Sequence, residues 1–199
     1  MLVIVNIRYT GDMKLVIGLG NPEPRYDDTR HNIGFWYLDR YTDTHSMDWK
    51  RSDKFHAYLS ERTVNGERVI CAKPTTYYNL VGESARAIMD FYKITPEDVL
   101  IIHDDLALPL GTIRTRLGGS DGGNNGLKSL NTHIGLTTHR IRVGVWAAHH
   151  EHTDKVALVL GKLDHDEREI LSTQATTVYD LIDSFIDNEF ASTTHRHEA

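Results

Sequence analysis

The segment Lys14-Leu-Val-Ile-Gly-Leu-Gly constrains the fold more than any other stretch of the chain. A short run of apolar side chains stopped by glycines reads as a buried strand that ends in a tight turn. Strands buried on both faces sit in the middle of sheets that helices cover, so a central first strand is expected. Residues 30 to 43 then place Ile33, Trp36, Tyr37 and Tyr41 at helical spacing, with Thr29 as a hydroxyl cap and His31 in the first turn. Asn65-Gly66 between alternating segments 55 to 61 and 67 to 72 predicts a hairpin. A helix over 79 to 93 carries Leu80, Ser84, Ile88 and Tyr92 on one face and leads into a second buried strand, Val99 to His103-Asp104. Thr112 to Arg116 reads as an outer strand, and Gly118 to Gly126 holds five glycines in nine residues. A helix over 127 to 134, a strand over 140 to 145 and helices over roughly 153 to 190 complete the pattern. Strands alternating with helices predict an α/β three-layer sandwich, a mixed and mostly parallel twisted sheet with helices on both faces. The predicted organisation is an extension at 1 to 12, one domain at 13 to 190 and a mobile tail at 191 to 199.

Several function classes fall away on composition. No stretch reaches the roughly 18 apolar residues of a membrane helix, and Arg8 and Asp12 interrupt the apolar N-terminus before a signal peptide could be completed. Cys71, the single cysteine, lies in the apolar run Val69-Ile-Cys-Ala and reads as a buried, inert thiol. A cytoplasmic protein is expected. The formal charge of −6 opposes unspecific coating of nucleic acid, so any such contact must be local. His149, His150 and His152, with His195 and His197 in the tail, lack paired-ligand spacing and read as solvated surface.

In open α/β sheets ligands bind beyond the carboxyl ends of strands. Asn21, Asn79 and Asp104 all stand near such ends, and the helix carrying His31 reaches the same crevice. A carboxylate beside an imidazole fixes its tautomer and steadies the cation formed when the ring takes a proton from water. No serine or cysteine stands in a nucleophile-elbow context, which favours direct attack by water over a covalent intermediate. Arg114, Arg116, Lys128, Arg140 and Arg142 cluster around the glycine-rich segment in a chain that is acidic elsewhere. Alternation puts Arg114 and Arg116 on one strand face and Arg140 and Arg142 on another, a solvated surface or a small phosphate clamp.

Gly18-Leu-Gly-Asn-Pro, Tyr26 and Thr29-Arg-His-Asn-Ile-Gly-Phe resemble the opening signature of bacterial peptidyl-tRNA hydrolases. So, in order and spacing, do Lys73-Pro-Thr-Thr-Tyr-Tyr-Asn-Leu-Val-Gly, His103-Asp-Asp-Leu-Ala-Leu-Pro-Leu-Gly and Gly118 through Lys128. The resemblance implies hydrolysis of the ester between peptide and tRNA, with His31 as general base and Asp104 as its partner. It implies that Asn21, Asn79 and Asn125 hold peptide, scissile carbonyl and water, with Asn21 and Asn125 in the catalytic set. Tyr26 and Tyr78 would line the substrate site, and Arg116 and Arg142 would reach the acceptor stem, with the terminal adenosine bound nearby. A monomer without metal or cofactor is implied. Three departures stand out: Asn124 replaces a histidine, Tyr78 a methionine, and Trp146-Ala-Ala-His a glycine-histidine-proline turn.

Intact His31 and Asp104 favour the enzyme over RNA-binding relatives of the same fold. A hydrogenase-maturation-type protease would need carboxylate and histidine metal ligands where this chain has asparagines. The third glycine of a dinucleotide fingerprint is absent, and Pro22 follows Gly20.

Overall fold

A computed structural model describes residues 13–197. The expected extension at 1 to 12 lies outside the described residues. Strands β1 (Met13–Gly18), β2 (Lys50–Ser52), β3 (Ala57–Val64), β4 (Glu67–Pro74), β5 (Val99–Pro109), β6 (Ile113–Leu117), β7 (His139–Trp146) and β8 (Thr194–His195) form one sheet. Their order is β2-β3-β4-β1-β5-β7-β6-β8. The four central strands, β4, β1, β5 and β7, run parallel, and the strands flanking them are antiparallel. The parallel character predicted for the sheet is thus concentrated in its middle, with β1 at the centre.

Helices α1 (Ile33–Thr44), α2 (Val81–Tyr92), α3 (Asn125–Ile134), α4 (Lys155–Leu160), α5 (His165–Thr173) and α6 (Ala175–Ile186) complete the elements. Successive strand side chains point to opposite faces. Leu15 and Ile17 of β1 therefore pack with α2 and α3, while Val16 joins the core formed with α1 and α6. Both layers are closed by fully buried side chains, among them Tyr37, Ile33 and Ile88. Cys71 is buried on the α1 side, and burial pushes its thiol up to about 12, which makes it inert as expected.

Local chemistry explains the two junctions that position the site. Asn65 and Gly66 both have positive φ, 49° and 88°, as a two-residue hairpin turn requires. At the other junction α1 starts directly over the end of β1 and the Ile102 stretch of β5. A Cβ on Gly34 would lie 2.4 Å from both the Ile102 carbonyl oxygen and the Leu19 nitrogen. Only glycine lets the helix approach that closely.

Two expectations need correction. Thr29 does not cap α1, because its Oγ1 donates to the Tyr26 carbonyl at 2.8 Å; a 3-10 turn, Arg30–Asn32, comes first and carries His31. Nor is the tail free from residue 191. β8 pairs with β6 through Ile113↔His195 and Arg114↔Thr194, and Thr115 Oγ1 donates to the Ala191 carbonyl at 2.6 Å. Otherwise β6 would leave its backbone groups unpaired at the sheet margin, and the tail satisfies them.

Candidate active site

β1 ends at Gly18, paired with Ile102 of β5, and β5, expected to stop at His103-Asp104, runs on to Pro109 and carries Asp104 just past the point where the chain leaves β1. Asn21 follows β1. Its backbone is clamped by Asn32, whose Oδ1 accepts the Asn21 N–H at 2.8 Å and whose Nδ2 donates to the Asn21 carbonyl at 2.9 Å. This reciprocal pair ties the turn after β1 to the turn that carries His31. Sequence reasoning passed over Asn32, although its place beside His31 within the quoted motif was the available signal.

His31 and Asp104 come together as expected: Nδ1 lies 3.0 Å from Asp104 Oδ1, the imidazole partly exposed and the carboxylate buried. Facing a carboxylate, Nδ1 carries the proton, which leaves Nε2 unprotonated as the candidate base. Burial by itself would raise the Asp104 carboxyl, but the charge and hydrogen bond of His31, the charge of His103 and the Tyr78 hydroxyl outweigh it. Asp104 is held below the usual carboxylate value. His103 packs behind it, fully enclosed, its Nδ1 donating to the Asp104 carbonyl at 2.7 Å. Burial foremost pushes the His103 ring down, toward the neutral form.

The structure redistributes several other predicted residues. Tyr78, expected to line the substrate site, is buried; its hydroxyl donates to Asp104 at 3.0 Å and its ring stacks on His31. The reason is local, since a 3-10 turn, Tyr78–Leu80, turns Tyr78 inward and leaves Asn79 exposed. Asn125 is exposed in the first turn of α3, and its neighbour Asn124 enters the network instead, donating to the Tyr78 hydroxyl and to Asp104. The cap decides this, because the helix start directs Asn124 inward, where its Oδ1 accepts the Leu127 N–H at 3.0 Å. Tyr26 is half-exposed on the loop after β1, its ring 4.7 Å from the Arg25 guanidinium.

The basic cluster also divides. Arg114 faces Arg142 and Arg116 faces Arg140 across the β6–β7 ladder, which puts all four on one face of the sheet. Arg140 is not available to a ligand: it is buried and donates to the carbonyls of Ser120 and Gly119 at 2.7 and 2.8 Å and to Asn131 Oδ1 at 2.8 Å. It holds the glycine-rich segment. Arg142 is partly neutralised by Asp105, with Nε 2.7 Å from Oδ2. Arg116 is exposed.

His150, expected at the surface, is buried beside a pair that sequence reasoning missed. Arg30 donates through Nε and Nη2 to Glu167 at 3.1 and 2.5 Å, and through Nη1 to the carbonyls of Leu158 and Lys162. Ala147 N–H donates to His150 Nδ1 at 3.1 Å. Burial, then the charge of Arg30, pushes the His150 ring down. His149, His150 and Glu167 bring possible ligand atoms within 4.8 Å of one another. The Arg30 guanidinium, however, occupies both carboxylate oxygens that a cation would need.

The structure thus brings together a buried carboxylate, an imidazole oriented by it, a buried phenol and the Asn124 amide. The family model for peptidyl-tRNA hydrolase matches residues 15–199. The peptidyl-tRNA hydrolase of Ligilactobacillus salivarius is 38% identical over 189 residues, which is 92% of this chain and 99% of that protein. That of Chlorobaculum parvum is 44% identical over 176 residues, 87% of this chain and 91% of the other. Among solved structures, peptidyl-tRNA hydrolase from Acinetobacter baumannii superposes with a TM-score of 0.82 at 33% identity, covering 90% of this chain and 91% of that one. On matching motifs, fold and near-complete coverage, the chain belongs to the peptidyl-tRNA hydrolase family.

Proposed function

We propose that this chain hydrolyses the ester joining peptide to tRNA, with water activated by His31. The observation that carries the proposal is the His31–Asp104 pair, 3.0 Å apart, in which the carboxylate is buried and the outer imidazole nitrogen is left free. Nε2 takes a proton from water as it attacks the ester carbonyl, and Asp104 steadies the imidazolium. Collapse of the tetrahedral intermediate expels the sugar hydroxylate of the terminal adenosine, and the imidazolium returns the proton to it. In this reading Asn21, Asn79 and Asn125 serve as neutral donors and acceptors for the peptide and the developing oxyanion, and Tyr26 contacts the substrate. The protein works as a monomer in the cytoplasm.

Released N-blocked amino acid is the measurement that tests this. Purified protein cleaves N-acetyl-aminoacyl-tRNA and leaves free aminoacyl-tRNA largely intact; equal cleavage of both would make it a general esterase, and cleavage of neither a binding protein.

The acceptor stem is contacted through the basic face of β6 and β7. Arg116, exposed, contributes more than Arg142, whose charge is already met by Asp105. Arg116→Ala therefore lowers the slope of log affinity for tRNA against log salt by about 1, while a small ester lacking the stem is cleaved as by the parent. An unchanged slope would remove Arg116 from the interface.

A further inference from the structure

Asp104 Oδ1 accepts from three groups on three separate elements: His31 Nδ1 at 3.0 Å, Tyr78 Oη at 3.0 Å and Asn124 Nδ2 at 3.3 Å. Asn124 Nδ2 also donates to Tyr78 Oη at 3.0 Å, so the carboxylate, phenol and amide form a closed set. The Tyr78 ring lies against the imidazole, 3.5 Å between centroids and 21° between planes. Asn124 Oδ1 is engaged by the first turn of α3. One side chain thus joins the end of the glycine-rich segment to the carboxylate that orients His31.

We propose that Tyr78 and Asn124 are positioning residues that hold down the basicity of His31, by taking up part of the charge that Asp104 offers the imidazole and by fixing the plane of its ring. The physical ground is that each donor on a carboxylate oxygen satisfies part of its charge, so that less attraction remains for an imidazolium at the same atom. Tyr78 suits the task because it stays protonated. Burial, reinforced by the Asp104 charge, pushes its phenol well above the ordinary tyrosine value. The titratable groups packed around the pair are Tyr78, from the turn before α2, and His103, whose Nδ1 donates to the Asp104 carbonyl. Asn124, from the start of α3, is neutral.

The proposal deepens the reading of His31 as base, and its test separates the two. Tyr78→Phe keeps the stacked ring and removes the hydroxyl. Asn124→Ser keeps an oxygen able to cap α3 on a side chain too short to reach Asp104. In each variant the imidazole of His31 is titrated by NMR, its resonance identified by loss in His31→Ala. The midpoint rises by about half a pH unit, since a carboxylate relieved of one donor holds the imidazolium more tightly. The acid limb of kcat/KM follows, so activity on that limb falls about threefold. An unmoved midpoint in both variants, whatever happens to melting temperature or rate, overturns the proposal and assigns the two residues to packing alone. A midpoint that rises while the acid limb stays in place supports the hydrogen-bond set and counts against His31 as the base.

Discussion

His31→Ala lowers turnover on N-acetyl-aminoacyl-tRNA by at least the ~100-fold that a lost general base costs, while the protein remains folded. The structure explains why stability is spared. Asp104 loses one of three donors but keeps Tyr78 and Asn124, so the buried carboxylate is not stranded. The imidazole is itself partly exposed, and its removal opens no sealed cavity. Single-turnover rates with unchanged tRNA affinity are the expected signature; near-parental turnover would remove His31 from the reaction. Acid behaviour gives a second check. Because the Asp104 carboxyl is held below its ordinary value, its contribution to stability is complete above the unfolded carboxylate range near pH ~4. That contribution is lost only as pH falls through the lower folded value.

The second large effect is on the fold. Glu167→Ala destabilises the protein by about 3–5 kcal/mol, the cost of leaving one member of a buried ion pair unmatched, and lowers the melting temperature by roughly 6–20 °C for a chain of this size. Glu167 is 1% exposed and Arg30 6%. Without the carboxylate, Arg30 has the carbonyls of Leu158 and Lys162, at 3.3 and 3.1 Å, and the His150 ring at 3.2 Å, but no negative charge to meet its own. The same substitution breaks the capping box of α5, in which Glu167 Oε2 accepts the Asp164 N–H at 2.9 Å. Replacing both members with methionine costs less than removing Glu167 alone, because no charge is then left buried. Thermal denaturation of the single and double variants decides the matter, and a loss below ~1 kcal/mol in Glu167→Ala would show the pair to be a surface-like contact. Since Arg30 immediately precedes His31, this pair also anchors the turn on which the proposed base is carried.

What was legible in the sequence shares one property: the signal lies within a few residues. The apolar run of β1, the Asn65-Gly66 turn and the periodicity of α2 each depend on neighbours, and each appears where expected. The meeting of His31 with Asp104 was reached through strand ends and motif order. What stayed hidden depends on distant partners or on one step of backbone geometry. Arg30 carries no structural signal of its own until Glu167, 137 residues away, is packed against it. Arg140 reads as either solvated surface or part of a phosphate clamp until the loop it fastens, 20 residues earlier, is in place. Asn124 and Asn125 are chemically identical neighbours, and only the cap of α3 decides which turns inward. The tail looks unstructured because its order comes from β6 and not from its own composition.

The central position of β1 has a consequence for how the chain is made. Both neighbours of β1 are encoded later: the paired part of β4 begins at Arg68 and that of β5 at Val99. At a synthesis rate of roughly 5–20 residues per second, β1 waits about 3–10 s after emerging before β4 is complete beside it. During that interval Leu15, Val16 and Ile17, all fully enclosed in the finished sheet, are exposed on a nascent chain that cannot yet bury them. Long-range parallel pairing of this kind is slow to form and exposed to aggregation while it forms. The segment that seats the site at the heart of the sheet is also the one that most needs shielding at the ribosome.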